Sequence, residues 1–192
     1  MANELAYLDT NILVNWSIYY RKRKQWLKFR EGDKARQSME LFQDVKNKRY
    51  ATTFVTSEWA IAELHQSAID YRIAVRMIRD LRNPRFFQTQ KLKYPLSEEE
   101  KKEIVLALNT FVLQLKKHRV GISTVSPDFG RISWFSVRYG VEAPDALPLF
   151  TALSLNSKYF LTVDEPLKNA GVKDSEVLFP STFRNLPIHS RD

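Results

Sequence analysis

Runs of β-branched and aromatic residues alternate with longer stretches of helical period along the chain, and that alternation leaves few folds open. Strand-like runs stand at 5–8, 51–55, 120–125, 159–163 and 176–179. Between them apolar residues recur at helical spacing: Ile12, Leu13 and Trp16 after the first run, Phe42 and Val45 before the second, and Ile104, Leu108, Phe111 and Leu115 before the third. Strands separated by helices are expected to lie parallel, so the pattern predicts an α/β fold with a mainly parallel sheet. The 192 residues are expected to form one domain, 1–192, with no internal repeat and no linker.

Helix ends are punctuated locally. Ser97-x-x-Glu100 is a capping box, with Leu96 before it as a staple. Thr56 or Ser57 is expected to cap a long helix that Asn83-Pro84 ends. In its second half Tyr71, Ala74, Val75, Ile78 and Leu81 are expected to face inward, with Arg72, Arg76 and Arg79 on the other side. Ser126-Pro127 is expected to open a later helix that Gly140 stops.

Composition narrows the chemistry. There are no cysteines, which removes disulfides, iron–sulfur ligation and thiolate zinc sites, and suits a reducing cytosol. The three histidines, His65, His118 and His189, have no metal-like spacing. The first residues lack the basic and apolar regions of an export signal, and no segment approaches the length of a membrane span, so a cytoplasmic protein is expected. The net charge of +8 favours a polyanionic partner, most simply nucleic acid.

Four carboxylates stand at special places. Asp9 ends the first strand, Glu63 lies about two turns into the helix after the second, Asp145 opens a helix, and Asp164 ends the fourth strand. In a parallel sheet the strand ends and the starts of the following helices share one rim, where ligands of α/β folds bind. Singly each acid reads as a helix cap or a solvated charge. Brought together they repel, and without a cation some would have to protonate. A hard divalent ion, Mg²⁺ or Mn²⁺, resolves the conflict through oxygen ligands, and can lower the pKa of a bound water and stabilise a leaving oxygen. Asp9, Glu63 and Asp145 are expected to form the principal site, with Asp164 completing it directly or through water. Asn11 is expected to hold Asp9 in place.

For the strand of a nucleic acid, Arg21-Lys22-Arg23-Lys24 lies among Tyr19, Tyr20, Trp26 and Phe29, combining charge for phosphates with rings for unstacked bases. Arg72 and Arg76 are further candidates for phosphate contact, with a plain charged outer face as the alternative.

The segments that carry the acids, "YLDTNILV", "TSEWAIAEL", "APDALPLFTAL" and "LTVDEPL", resemble in order the motifs of the PIN domain, a metal-dependent ribonuclease fold of type II toxins and RNA-processing enzymes. The resemblance spans residues 5 to about 170 and places the family's acids on Asp9, Glu63, Asp145 and Asp164. Thr162 is similar to the family's hydroxyl two residues before the last acid. The resemblance implies a three-layer α/β/α fold with a four- to five-stranded sheet and a Mg²⁺- or Mn²⁺-dependent endoribonuclease acting on single-stranded or loop regions of RNA. It further implies the toxin of a type II pair, with an antitoxin partner and a homodimer. A housekeeping RNA-processing nuclease and a non-catalytic nucleic-acid-binding module are the alternatives. Two departures stand out. The third motif often carries His three residues after its Asp, and here that position is Pro148, which disturbs helix geometry outside a first turn. The spacing from Glu63 to Asp145 is also long, which points to a helical insertion at about 71–119. A dehalogenase-type phosphatase, which also begins with an Asp after strand one, needs a second Asp two residues on; Asn11 stands there instead.

Overall fold

The computed structural model describes residues 4–19, 30–83 and 87–186. Five parallel strands form one sheet: β1 (Leu5–Leu8), β2 (Thr53–Ser57), β3 (Gly121–Ser123), β4 (Tyr159–Leu161) and β5 (Glu176–Leu178), in the order β3-β2-β1-β4-β5. The chain builds outward from β1 to β3, then returns to the other side of β1 for β4 and β5. The strand order therefore reverses between β1 and β4, the point beyond whose carboxyl ends α/β folds place their ligands.

Each strand's side chains divide between two faces, and the core divides with them. Ala6, Leu8, Phe54, Tyr159 and Leu161 belong to one apolar cluster, closed by α1 (Thr10–Val14), α2 (Arg30–Lys46), α3 (Glu58–Arg79), α5 (Glu98–Lys117) and α9 (Pro180–Arg184). Tyr7, Val55 and Phe160 point the other way into a second cluster, closed by α6 (Phe129–Tyr139), α7 (Ala143–Ser154) and α8 (Glu165–Asn169). This alternation by one residue is the period of a strand buried on both faces. The result is the three-layer α/β/α architecture. A short α4 (Phe87–Gln90) and a 3₁₀ turn (Lys91–Lys93) fill the stretch between α3 and α5. Among the described residues no helix is long and apolar enough to cross a membrane.

Several local expectations shift. The helix after β1 becomes a π-helical turn at Asn15–Tyr19, and the Trp16 indole there is buried and donates to the Ser38 carbonyl. The buried residues of α3 are Ala60, Leu64, Ile73 and Met77, not the expected Tyr71–Leu81 set; Val75, Ile78 and Leu81 are exposed. That end of α3 carries apolar residues on two sides, and α5 covers one of them. Arg72 reaches Glu100 and Glu103 on α5, and Arg76 reaches Glu100 and the Pro95 carbonyl. The helix expected to open at Ser126-Pro127 opens at Phe129, because Asp128 takes the cap and its carboxylate accepts the Arg131 N–H at 3.1 Å. Gly140 ends that helix with φ +62°, where a side chain would be strained. Pro148 lies in the second turn of α7, which continues unbroken to Ser154. The carbonyl left without its helical donor belongs to Pro144, which is exposed and open to water.

Candidate functional site

The ends of β1, β2 and β4 are knitted together. The Thr56 hydroxyl donates to the Leu8 carbonyl at 3.0 Å, and the Asp9 N–H donates to the Leu161 carbonyl at 3.0 Å. The Tyr7 hydroxyl meets the Ser57 hydroxyl at 2.7 Å beneath the first turn of α3. Ser57 is also the N-cap of that helix, accepting the Ala60 N–H at 3.1 Å. Position 9 is thus fixed from both sides before its side chain is considered.

Asp9 is 3% exposed and caps α1, its Oδ1 accepting the Thr10 N–H at 2.8 Å. Its Oδ2 accepts the Thr162 hydroxyl at 2.7 Å. Cap and site residue are therefore one residue. Thr162, fully buried, also accepts the Asp164 N–H at 3.0 Å. One hydroxyl thereby positions the carboxylate at the end of β1 and the backbone of the acid at the end of β4. Asn11, expected to hold Asp9, is exposed and makes no side-chain hydrogen bond among the described residues. The holding is done by Thr10 and Thr162. Helix α1 begins at once, turning the Asn11 side chain outward.

Glu63 reaches the same place from α3. Its Oε2 accepts the Thr10 hydroxyl at 2.5 Å. Thr10 went unnoticed in the sequence, although a hydroxyl directly after a strand-end acid was the available signal. Its N–H serves Asp9 and its Oγ serves Glu63, tying two of the four acids through one residue. Asp145 stands in the first turn of α7. Asp164 is the N-cap residue of α8, yet its carboxylate makes no capping bond.

Electrostatics link all four. Burial pushes the Asp9 carboxyl up to about 7; the Thr162 and Thr10 hydrogen bonds oppose that rise, and the charges of Glu63 and Asp145 add to it. The Asp145 carboxyl is raised by burial first, then by Asp164, Glu142 and Glu63. Glu142, at the N-cap of α7, is a fifth acid that the motif reading passed over. Tyr7, buried beneath, is also raised, chiefly by burial. Among the described residues none of the four acids has a basic partner within ion-pair reach.

No family model matches the chain, and neither does any curated protein.

Among the described residues no group of three or more acidic or histidine side chains is disposed to hold a metal ion directly. The donor chemistry is nonetheless that of a hard cation: among the described residues the cluster offers carboxylate and hydroxyl oxygens, no nitrogen or sulfur, and net negative charge without a counter-charge. Mg²⁺ typically takes one or two direct carboxylates and keeps the rest of its shell as water. Asp9 with Glu63 or Asp145 as direct ligands, the others acting through water, fits that habit. A cavity of about 470 Å³ between Trp16, Phe42, Ile104 and Phe111 lies apart from this cluster, and none of the four acids lines it. The basic run Arg21, Lys22, Arg23 and Lys24 lies outside the described residues. Arg72 and Arg76 are engaged with α5.

Proposed function

We propose that the protein is a Mg²⁺- or Mn²⁺-dependent endoribonuclease that hydrolyses phosphodiester bonds in single-stranded or loop regions of RNA. The observation that carries this reading is the place and state of Asp9. It is a buried carboxylate at the strand-order reversal, raised to about 7 among three further acids that have no basic partner among the described residues.

The chain's own residues would act as follows. Thr162 and Thr10 hold the Asp9 carboxylate so that its remaining lone pairs face the rim. Thr10 holds Glu63 beside it. Asp145 and Asp164 supply further negative charge, from the first turn of α7 and the N-cap of α8. An ion bound there would supply a water of lowered pKa and stabilise the leaving oxygen. Asp9, Glu63 and Asp145 are its proposed ligands, with Asp164 completing the shell directly or through water.

The net charge of +8 favours a polyanionic substrate. By its resemblance the chain is proposed as a cytoplasmic type II toxin that forms a homodimer and is held by an antitoxin. A housekeeping RNA-processing role rests on the same chemistry, and a short antitoxin-like reading frame beside this one decides between them.

The direct test is cleavage of a generic single-stranded RNA by the purified protein, with and without Mg²⁺ or Mn²⁺. Cleavage that needs the ion and is abolished in both Asp9→Asn and Glu63→Gln supports the reading. Asn caps helices as well as Asp, so α1 should survive the first change. Undiminished cleavage in Asp9→Asn overturns the site; RNA binding without cleavage under any divalent ion replaces the enzyme with a binding module.

A further inference from the structure

The outer face of α6 exposes large apolar side chains beside arginines. Ile132 is buried against α7, whereas Phe129 is 75% exposed, Trp134 51% and Val137 85%. The helix carries two arginines and no acid. The Arg138 guanidinium sits 4.5 Å over the Trp134 ring, and Phe135 meets that ring edge-on at 5.2 Å. Arg131 lies one turn before Trp134, and among the described residues its only ion pair is an exposed one with Asp128 at 3.6 Å, of a kind worth little in water.

The helix is also tied to the rim at both ends. It begins after residues 124–128, which leave the carboxyl end of β3, and it ends three residues before α7 (at 140–142), whose first turn carries Asp145. A strand laid along α6 is therefore led to the acid cluster.

We propose that this face is a docking track for single-stranded nucleic acid. Bases stack on Trp134 and Phe129, and Arg131 and Arg138 take the flanking phosphates. Rings supply a sequence-tolerant surface for unstacked bases, and guanidinium groups beside them neutralise the backbone. The two rings stand about 140° apart around the helix and about 7.5 Å apart along it, so a strand crossing the face meets them in succession. A second copy of this chain is the less suitable occupant. A two-fold contact would bring this acid-free, arginine-bearing face against its own copy, in a protein already at +8. As a route to the cleavage site the proposal rests on the nuclease reading; as a binding surface it is measured separately.

The experiment measures the affinity of a fluorescent single-stranded oligonucleotide for the Asp9→Asn protein in EDTA, where no cleavage interferes. Trp134→Leu and Phe129→Leu keep the apolar bulk and remove the ring. Each is expected to weaken binding about tenfold with unchanged circular dichroism and melting temperature. Arg131→Gln with Arg138→Gln is expected to lower the salt slope of binding by about 1.4. An abasic strand of equal length should bind more weakly and be indifferent to Trp134→Leu. Unchanged affinity in the folded double ring variant overturns the track, as does an equal loss for the abasic strand. A dimer that Trp134→Leu converts to monomer, with oligonucleotide affinity unaltered, reassigns the face to self-association. Cleavage lost in Asp9→Asn beside unaltered binding in the ring variants discards the track and leaves the nuclease reading. Weakened binding beside cleavage that survives Asp9→Asn does the reverse.

Discussion

Thr162 is a single buried hydroxyl with two duties, and its removal separates them from the shape of the side chain. Thr162→Val keeps the volume while taking the donor from Asp9 Oδ2 and the acceptor from the Asp164 N–H. A buried carboxylate oxygen left without its donor costs on the order of 1–3 kcal/mol. The Thr162 bond also opposes the rise of the Asp9 carboxyl, so its loss moves that group further up. The variant is expected to unfold at lower urea concentration and to shift the acid limb of the pH–rate profile upward. A destabilised protein with an unmoved profile would leave Thr162 a structural residue only.

At the scale of elements, α5 offers the cleanest case of local sequence deciding structure. The capping box is fully formed: Ser97 Oγ accepts the Glu100 N–H at 3.2 Å, and Glu100 returns the bond to the Ser97 N–H at 2.9 Å. The same Glu100 is the anchor for Arg72 and Arg76 of α3. Ser97→Ala is expected to cost about 1 kcal/mol in a denaturant titration while leaving the proposed nuclease activity intact, because α5 carries none of the four acids. Loss of activity there would mean that the α3–α5 contact transmits to Glu63. The sequence made this helix legible down to its core residues Leu108, Phe111 and Leu115, since cap and period agree. The strands were equally legible in kind and order of appearance, but β2 runs Thr53–Ser57 and not 51–55. Its end is set by Ser57, which serves strand and cap at once. The inward face of α3 was misread because which apolar side is covered depends on a helix some twenty residues downstream. Asp9, Asp145 and Asp164 stood out from their places at strand and helix ends, and Glu63 from its place in the helix after β2. The two threonines that hold Asp9, Glu63 and the Asp164 backbone were only half legible: Thr162 by resemblance, Thr10 not at all, because hydrogen bonding across 53 residues leaves no mark in local pattern.

For the molecule as a whole, the acid cluster predicts how stability varies with pH. In the metal-free protein Asp9 holds its proton up to about pH 7, whereas its ordinary value is 3.8. As pH falls through 7 the folded state takes up a proton that the unfolded chain does not yet bind, so this group makes the fold more stable on acidification until about pH 4, where both states are protonated. Above pH 7 the buried charge opposes folding by on the order of a few kcal/mol. Asp145, raised for the same main reason, acts in the same direction. The melting temperature of wild type relative to Asp9→Asn is therefore expected to be lowest above pH 7 and to recover toward pH 5. Added Mg²⁺ should raise it at pH 8 and much less at pH 5, where protons already occupy the carboxylate. A difference that stays flat across this range, or a Mg²⁺ effect that Asp9→Asn retains, would count against the assignment.

The place of β1 in the sheet sets an order of assembly. It precedes the other four described strands in the chain and is the middle strand of the sheet, paired with β2 on one side and with β4 on the other. Its partner β4 begins only at Tyr159, and the bond from Thr162 to Asp9 spans 153 residues. Closing so long a loop is slow compared with forming the helices in between. A nascent chain can shape α1 through α7 and still have no donor for Asp9 Oδ2. The acid cluster therefore stays unfinished until the chain has passed β4, and a chain halted before it never gains the Thr162 bond.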